Sequence, residues 1–313
     1  MADYPETVRE FRTWFPDDAA CRAYLERLRW PEGPRCPRCP QAAVWKMEAP
    51  FFRCAACGYD FTVTVGTLFT DTHLPLSLWF EAMWHVVEQK NGASALGVKR
   101  VLGVSYPTAW RWLHKLRRAM VRPGRDRLAG TVEVDEVYVG GERSGKRGRG
   151  AEGKALVLVA AQADGDHIGR IRMARIRDAS GDVLRSAVAG AVDPGTKVLT
   201  DGWGGYSGLG AAGYAHHVVR AAAVVGDNLL PRANRVASLL QRWLLGTHQG
   251  AVAHSHLDYY LDEFTFRFNR RRSRSRGLLF YRLVGQALEV GPVRGRQLVG
   301  GASPKALGLG ESS

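Results

Sequence analysis

Four of the chain's five cysteines fall in two CxxC pairs, Cys36-Pro-Arg-Cys39 and Cys54-Ala-Ala-Cys57, with fourteen residues between them. A two-residue spacer folds the backbone back so that both sulfurs of a pair reach one ion, and two such turns supply the closed tetrahedral sulfur site of structural zinc. A thioredoxin-like redox pair is the other use of the motif, but it comes singly and precedes a helix in a βαβ unit. Pro37 stiffens the first turn, Gly58 follows the second, and residues 51–53 and 61–65 read as short strands of a zinc ribbon. The N-terminal stretch MADYPETVREF is acidic and polar, unlike a secretory leader, so a cytoplasmic location with reduced thiols is expected. Cys21, inside the helical stretch Asp18–Arg29, reads as a small buried hydrophobe.

The 313 residues leave room for about two domains. Lys and Arg number 44 against 30 Asp and Glu, and the resulting net charge of +14 favours a polyanionic partner. No stretch approaches the ~18–20 uninterrupted apolar residues of a membrane-spanning helix, which sets membrane insertion aside and leaves nucleic acid or an anionic membrane surface as the expected partner.

After the ribbon come two helical stretches, residues 78–89 and 93–101, and then Leu102-Gly103-Val104-Ser105 ahead of a third helix over residues 106–118. Gly103 suits a tight turn, Ser105 is a competent N-cap and Pro107 is tolerated in the first turn. On the third helix Ala109, Trp112, Leu113, Leu116 and Met120 form an apolar stripe, while Arg111, Lys115 and Arg118 fall at i, i+4 and i+7 on another face. This is the arrangement of a helix-turn-helix whose recognition helix offers cations to DNA. A solvated basic helix in an all-α subdomain is the plainer alternative.

From residue 130 the period changes. Thr131–Val139 alternates as a strand, 155–161 is a continuous apolar run, and 168–176 alternates again beyond an Asp164-Gly165 turn. A helix over 180–188 leads to a fourth strand, 196–201. Asp135 lies within the first strand and Asp201 at the end of the fourth. If those strands are neighbours, the two carboxylates form a Mg²⁺ site suited to in-line phosphoryl transfer. Each aspartate alone has an ordinary explanation, as an exposed strand residue or a turn former.

At these residues the chain resembles the IS1595-like transposases, including those called ISXO2-like. The likeness runs through the CPRC and CAAC pairs, residues 102–111, Val134-Asp135-Glu136-Val137-Tyr138-Val139-Gly140-Gly141 and Asp201-Gly202-Trp203-Gly204-Gly205-Tyr206. Residues 242–248 and 263–271 carry it further. It implies an α/β, RNase H-like catalytic domain that cleaves DNA and transfers strands with Mg²⁺ or Mn²⁺. The family's third catalytic position, on a helix after the second Asp, corresponds to Asn234. The Lys that normally follows by seven residues is Gln241 here.

The resemblance also gives Glu263 a supporting role at the active site and assigns Arg267 and Arg270 to DNA phosphates. Taken alone, Glu263 and Arg267 have the i, i+4 spacing of a simple salt bridge. Lys146, Arg147 and Arg149, in a glycine-rich stretch after the Asp135 strand, are expected to meet phosphates as well. The expected organisation is a helical segment (1–30), the ribbon (31–72), the helix-turn-helix region (73–125), the RNase H-like domain (126–285) and a flexible tail (286–313). The expected protein is a homo-oligomeric, nucleoid-associated transposase acting on double-stranded DNA. The alternatives are a catalytically weakened DNA-binding relic or regulator, signalled by Gln241, and a nuclease without strand transfer.

Overall fold

The computed structural model describes residues 3–39, 43–121, 124–140, 154–219, 228–249, 252–293, 295 and 298. In chain order these begin with α1 (Val8–Trp14), α2 (Asp18–Arg29), β1 (Val44–Lys46), β2 (Phe52–Cys54), β3 (Asp60–Phe61), α3 (Leu76–Glu88), α4 (Ala95–Leu102) and α5 (Tyr106–Ala119). Then follow β4 (Thr131–Val139), β5 (Ala155–Asp164), β6 (His167–Ile176), α6 (Gly181–Ala191), β7 (Lys197–Thr200) and β8 (Ala215–Val218). The last elements are α7 (Pro231–His248), α8 (Leu257–Asn269) and α9 (Arg276–Glu289). Two compact units result, one within Met1–Pro123 and Arg272–Val299, the other within Gly124–Arg271.

In the first unit the helices start where polar side chains meet orphan backbone N–H groups. Asp17, Ser94, Ser105 and Ser275 cap α2, α4, α5 and α9 from their own N-cap positions. α3 begins at Pro75 without a side-chain cap of its own. Asp18 of α2 takes that place, accepting from the N–H groups of Leu76 (3.1 Å) and Ser77 (2.9 Å) and from the Ser77 hydroxyl (2.8 Å). The core is aromatic: Phe280 of α9 is fully buried, with ring centroids 4.8–5.7 Å apart among Phe11, Phe15, Phe80, Trp84 and Phe280.

This packing corrects the expected organisation. Residues 276–289 are neither an extension of the α/β domain nor the start of a loose tail. They are a helix whose apolar face completes the first unit, and Val290, Val293 and Leu298 are buried as well. Gly277 permits the approach, because a Cβ there would run into the Pro5 carbonyl.

β1, β2 and β3 form a small antiparallel sheet closed by Arg53, which holds Asp60 at 2.6 and 2.7 Å. The strand expected over 61–65 ends at Phe61. Beyond it the Thr62 and Thr64 hydroxyls pair at 2.8 Å and Val65 N–H closes a turn on Thr62. α4 and α5 are joined by residues 103–105, with Gly103 in the left-handed region (φ 68°).

The second unit is a five-stranded mixed sheet in the order β6-β5-β4-β7-β8. β4–β5 and β5–β6 pair antiparallel, whereas β4–β7 and β7–β8 pair parallel. Side-chain alternation splits the sheet into two faces. Val132, Val134, Leu158 and Val198 pack with Leu184 and Val188 of α6, while Val157, Val159 and Ala161 pack with Val236, Leu240 and Leu244 of α7 and with Leu261 and Phe264 of α8. β5 is apolar over residues 155–161 because helices cover both of its faces there. At the β6 edge the Asn269 amide acts as a strand substitute, accepting from Ile171 N–H (2.7 Å) and donating to Ile171 C=O (3.1 Å). Among the described residues no helix is long and apolar enough to cross a membrane.

Burial raises the Asp18 carboxyl, but the bonds from Ser77 and Leu76 outweigh it and hold its pKa below the usual carboxylate value. A depressed folded pKa stabilises above the unfolded value of about 3.9 and loses that contribution as pH falls through the folded one. Asp18→Ala is therefore expected to lower stability by about 1 kcal/mol at pH 7 in urea unfolding, with the difference shrinking below pH ~4.

Candidate active site and metal centre

In the ribbon, turns after β2 and before β1 bring Cys36, Cys39, Cys54 and Cys57 together, with all four sulfurs within 4.8 Å of one another. The closest separations are 3.4 Å (Cys39–Cys54) and 3.7 Å (Cys36–Cys57 and Cys39–Cys57). Sulfurs about 2.3 Å from a tetrahedral zinc stand about 3.8 Å apart, so the donor set and its spacing fit that ion. The backbone already favours thiolate: N–H groups of Cys57 and Ala56, with help from the neighbouring thiols, draw the Cys54 thiol down to about 6 against the cost of burial. Arg38 lies 3.6 Å over the Tyr59 ring and its N–H donates to Cys36 Sγ at 3.4 Å, so the knuckle is braced outside the sulfurs as well.

The second candidate centre lies on the sheet. β4 and β7 pair in parallel through Thr131↔Lys197, Val132↔Val198 and Glu133↔Leu199. The same register, continued two residues further, sets Asp135 across from Asp201. Odd-numbered residues of β4 face α7, as Val137 and Val139 do in the core, so Asp135 belongs to that face. Asp135 is half-buried and its Oδ1 accepts from Glu136 N–H at 2.9 Å. Asp201 stands just past the end of β7, exposed, accepting from Trp203 N–H at 2.9 Å.

Asn234 lies in the first turns of α7, and its Nδ2 donates to Asn228 Oδ1 at 2.5 Å. Gln241, two turns on, donates from Nε2 to the Tyr138 carbonyl at 3.3 Å. It lines a cleft of about 520 Å³ with Tyr138, Lys154, Leu245 and His254. Two carboxylates with a neutral amide make an oxygen donor set, the kind that Mg²⁺ and Mn²⁺ take alongside water and phosphate. Among the described residues only the cysteine cluster gathers three or more Cys, His, Asp or Glu ligands around one point.

Two residues that pattern reading passed over shape this centre. Tyr206, fully buried on the α6 face, donates to Glu136 Oε2 at 2.6 Å. Burial pushes its phenol well up, and the charges of Glu136, Asp135 and Asp201 push it further, so it remains a donor at all ordinary pH. Glu133, two residues before Asp135 on the same face, is buried and bonded to the start of α7. A charged residue at an inward strand position was the available signal for it.

The remaining expected site residues lie elsewhere. Glu263 is fully buried on α8, which packs on β6, and accepts from Arg267 Nε at 2.8 Å. Arg270 lies 4.1 Å over the Phe266 ring. In the first unit Arg111 is exposed and Arg118 half-buried. Lys115 departs from the expected solvent-facing row: it is half-buried, its ammonium 5.7 Å over Trp79, and burial lowers its pKa. Lys146, Arg147 and Arg149 lie outside the described residues.

One zinc per chain is expected by elemental analysis of metal-replete protein. Cys54→Ser is expected to lower that content and to weaken zinc binding in competition with a chelator by at least about tenfold, since a closed sulfur site loses one of its four ligands.

The chain matches the family model of the ISXO2-like transposase domain over residues 127–269, spanning β4 to α8. It matches the transposase zinc-ribbon domain over residues 16–60, which contain all four clustered cysteines. No curated protein matches the chain. The two matched domains stand in the order and on the folds described above and together cover more than half of the chain, which therefore belongs to the IS1595-like transposase family.

Proposed function

We propose that the protein is a DNA transposase that binds the terminal inverted repeats of an insertion sequence, cleaves at its ends and joins them to target DNA. The observation that carries this reading is the parallel β4–β7 pairing, whose register, extended two residues beyond Glu133↔Leu199, would put Asp135 across from Asp201. The strand order β6-β5-β4-β7-β8, with three antiparallel strands ahead of two parallel ones, supports an RNase H-like core. Asp135 and Asp201 would hold the divalent cation, with the Asn234 side-chain oxygen as a third donor. When bound, that cation neutralises charge on the attacking and leaving oxygens of the phosphoryl group.

The protein's own residues select and hold the substrate. Arg111 and Arg118 on α5 meet DNA in a helix-turn-helix formed with α4, and Lys115 stiffens that helix through Trp79. Arg267 and Arg270 contribute positive charge at the end of α8, and the ribbon adds a second DNA-binding element. At the scissile bond a water oxygen attacks phosphorus and the 3′-oxygen leaves as a hydroxyl. That hydroxyl then attacks a target phosphodiester, displacing its own 3′-oxygen, so the bond count is conserved across joining. Asp135→Asn and Asp201→Asn are each expected to reduce Mg²⁺-dependent cleavage and joining of cognate ends by about 100-fold or more, with DNA affinity in a gel-shift assay within about threefold. Cleavage that persists in either variant overturns the assignment.

A weakened enzyme is the second reading, and Gln241 favours it: a neutral amide tied to the Tyr138 carbonyl cannot grip a phosphate as a Lys ammonium does. Gln241→Lys is expected to raise the cleavage rate by about tenfold, corresponding to one restored charge-assisted contact. An unchanged rate would show that this position does not limit the reaction.

A further inference from the structure

α7 is an 18-residue helix that begins at Pro231 after Leu230, with no side-chain cap of its own. Its first N–H groups still need acceptors, and the positive end of the helix favours an anion. Glu133 supplies both from another element. Its Oε2 accepts from Arg232 N–H at 2.6 Å and Ala233 N–H at 3.0 Å, while Oε1 accepts from Arg232 Nη1 at 2.9 Å. Arg232 is itself tied to the β5–β6 turn, donating from Nη2 to the Gly165 carbonyl (2.8 Å) and from Nε to the His167 carbonyl (3.3 Å). The carboxylate is 2% exposed.

A residue at Leu230 with a short polar side chain would cap this helix without taking a charge out of water. A buried strand carboxylate does something a local cap does not: it locks the helix start to one point on β4. That point is two residues from Asp135 on the same face, and the capped peptide directly precedes Asn234. Burying a charged pair is costly in stability, and fixing the relative register of two elements is its best-attested use.

We propose that Glu133 is a positioning residue which, by clamping the first turn of α7 to β4, sets where Asn234 stands relative to Asp135. The inference rests on the proposed roles of Asp135 and Asn234, and it assigns Glu133 no contact with metal or DNA. It predicts that Glu133 acts on metal binding through Asn234, and more through the α7 backbone than through the Arg232 side chain.

The test uses full-length, zinc-loaded protein carrying Glu133→Ala, Glu133→Gln, Arg232→Met or Asn234→Ala, and two double variants that combine Asn234→Ala with either Glu133→Ala or Glu133→Gln. It reads Mn²⁺ affinity by water-proton relaxation, amide hydrogen exchange across residues 231–236, and cleavage of element ends. Glu133→Ala is expected to weaken Mn²⁺ binding by about tenfold and to speed exchange in that turn. Glu133→Gln retains one acceptor and is expected to fall between Glu133→Ala and wild type, and Arg232→Met, which keeps both backbone bonds, to do less than Glu133→Ala. In the Asn234→Ala background the Mn²⁺ effect of changing residue 133 is expected to shrink to within about twofold, since both residues act along one path. An equal Mn²⁺ effect in both backgrounds, or exchange unaltered in the residue 133 variants, overturns the proposal. If Glu133→Ala fails to fold, the Glu133→Gln pair of measurements decides. If wild-type protein shows no Asp135-dependent cleavage the transposase reading falls, while Mn²⁺ affinity and exchange still decide the role of Glu133.

Discussion

The second unit is organised by the parallel pairing of β4 with β7. Backbone bonds join two segments more than sixty residues apart in sequence, with Asp135 two residues beyond the last β4 residue paired to β7 and Asp201 just past the end of β7. Adjacent carboxylates repel one another, and a sheet interior would make that repulsion severe. Here one is half-buried and the other exposed beyond the strand end. That position leaves the pair in reach of solvent.

Both faces of the sheet then serve that pair. On the α6 face Tyr206 is buried against Glu136, anchoring the peptide that donates to Asp135. On the other face Leu240 and Leu244 seat α7 on β4 and β5, and the Glu133 carboxylate receives its first turn. These are rigid elements with satisfied polar groups, and rigid elements hold reactive groups more accurately than loops do. α8 works at greater distance. Its Asn269 amide pairs with the Ile171 backbone at the β6 edge, which otherwise presents unpaired backbone groups to any passing strand.

The first unit is built on a different principle, an aromatic cluster completed from both ends of the chain. Phe280 reaches Phe11, Phe15, Phe80 and Trp84, so the fold of the N-terminal segment depends on a helix that follows the α/β unit. Lys115 illustrates how packing reassigns a charge. Its position on α5 matches Arg111 in the helical repeat, yet Trp79 lies beneath it and draws the aliphatic stem into half-burial.

What the sequence by itself determined was local. CxxC spacing, the Gly103 turn with its Ser105 cap, the alternation over Thr131–Val139 and the apolar run of β5 each encode their outcome within a few residues, and each element stands close to where the pattern puts it. The places of the aspartates were legible for the same reason, Asp135 within a strand and Asp201 at the end of one. Tertiary structure alone decided which residues meet across distance. No periodicity within 276–289 says which core its apolar face completes. Nor does any feature of residue 133 by itself reveal a helix start ninety-nine positions away. The β8 strand, only Ala215–Val218, has no alternating core face and exists because β7 offers it an edge. Local propensity acts over one turn or one strand, whereas burial and hydrogen-bond satisfaction are settled by whatever the folded chain brings alongside.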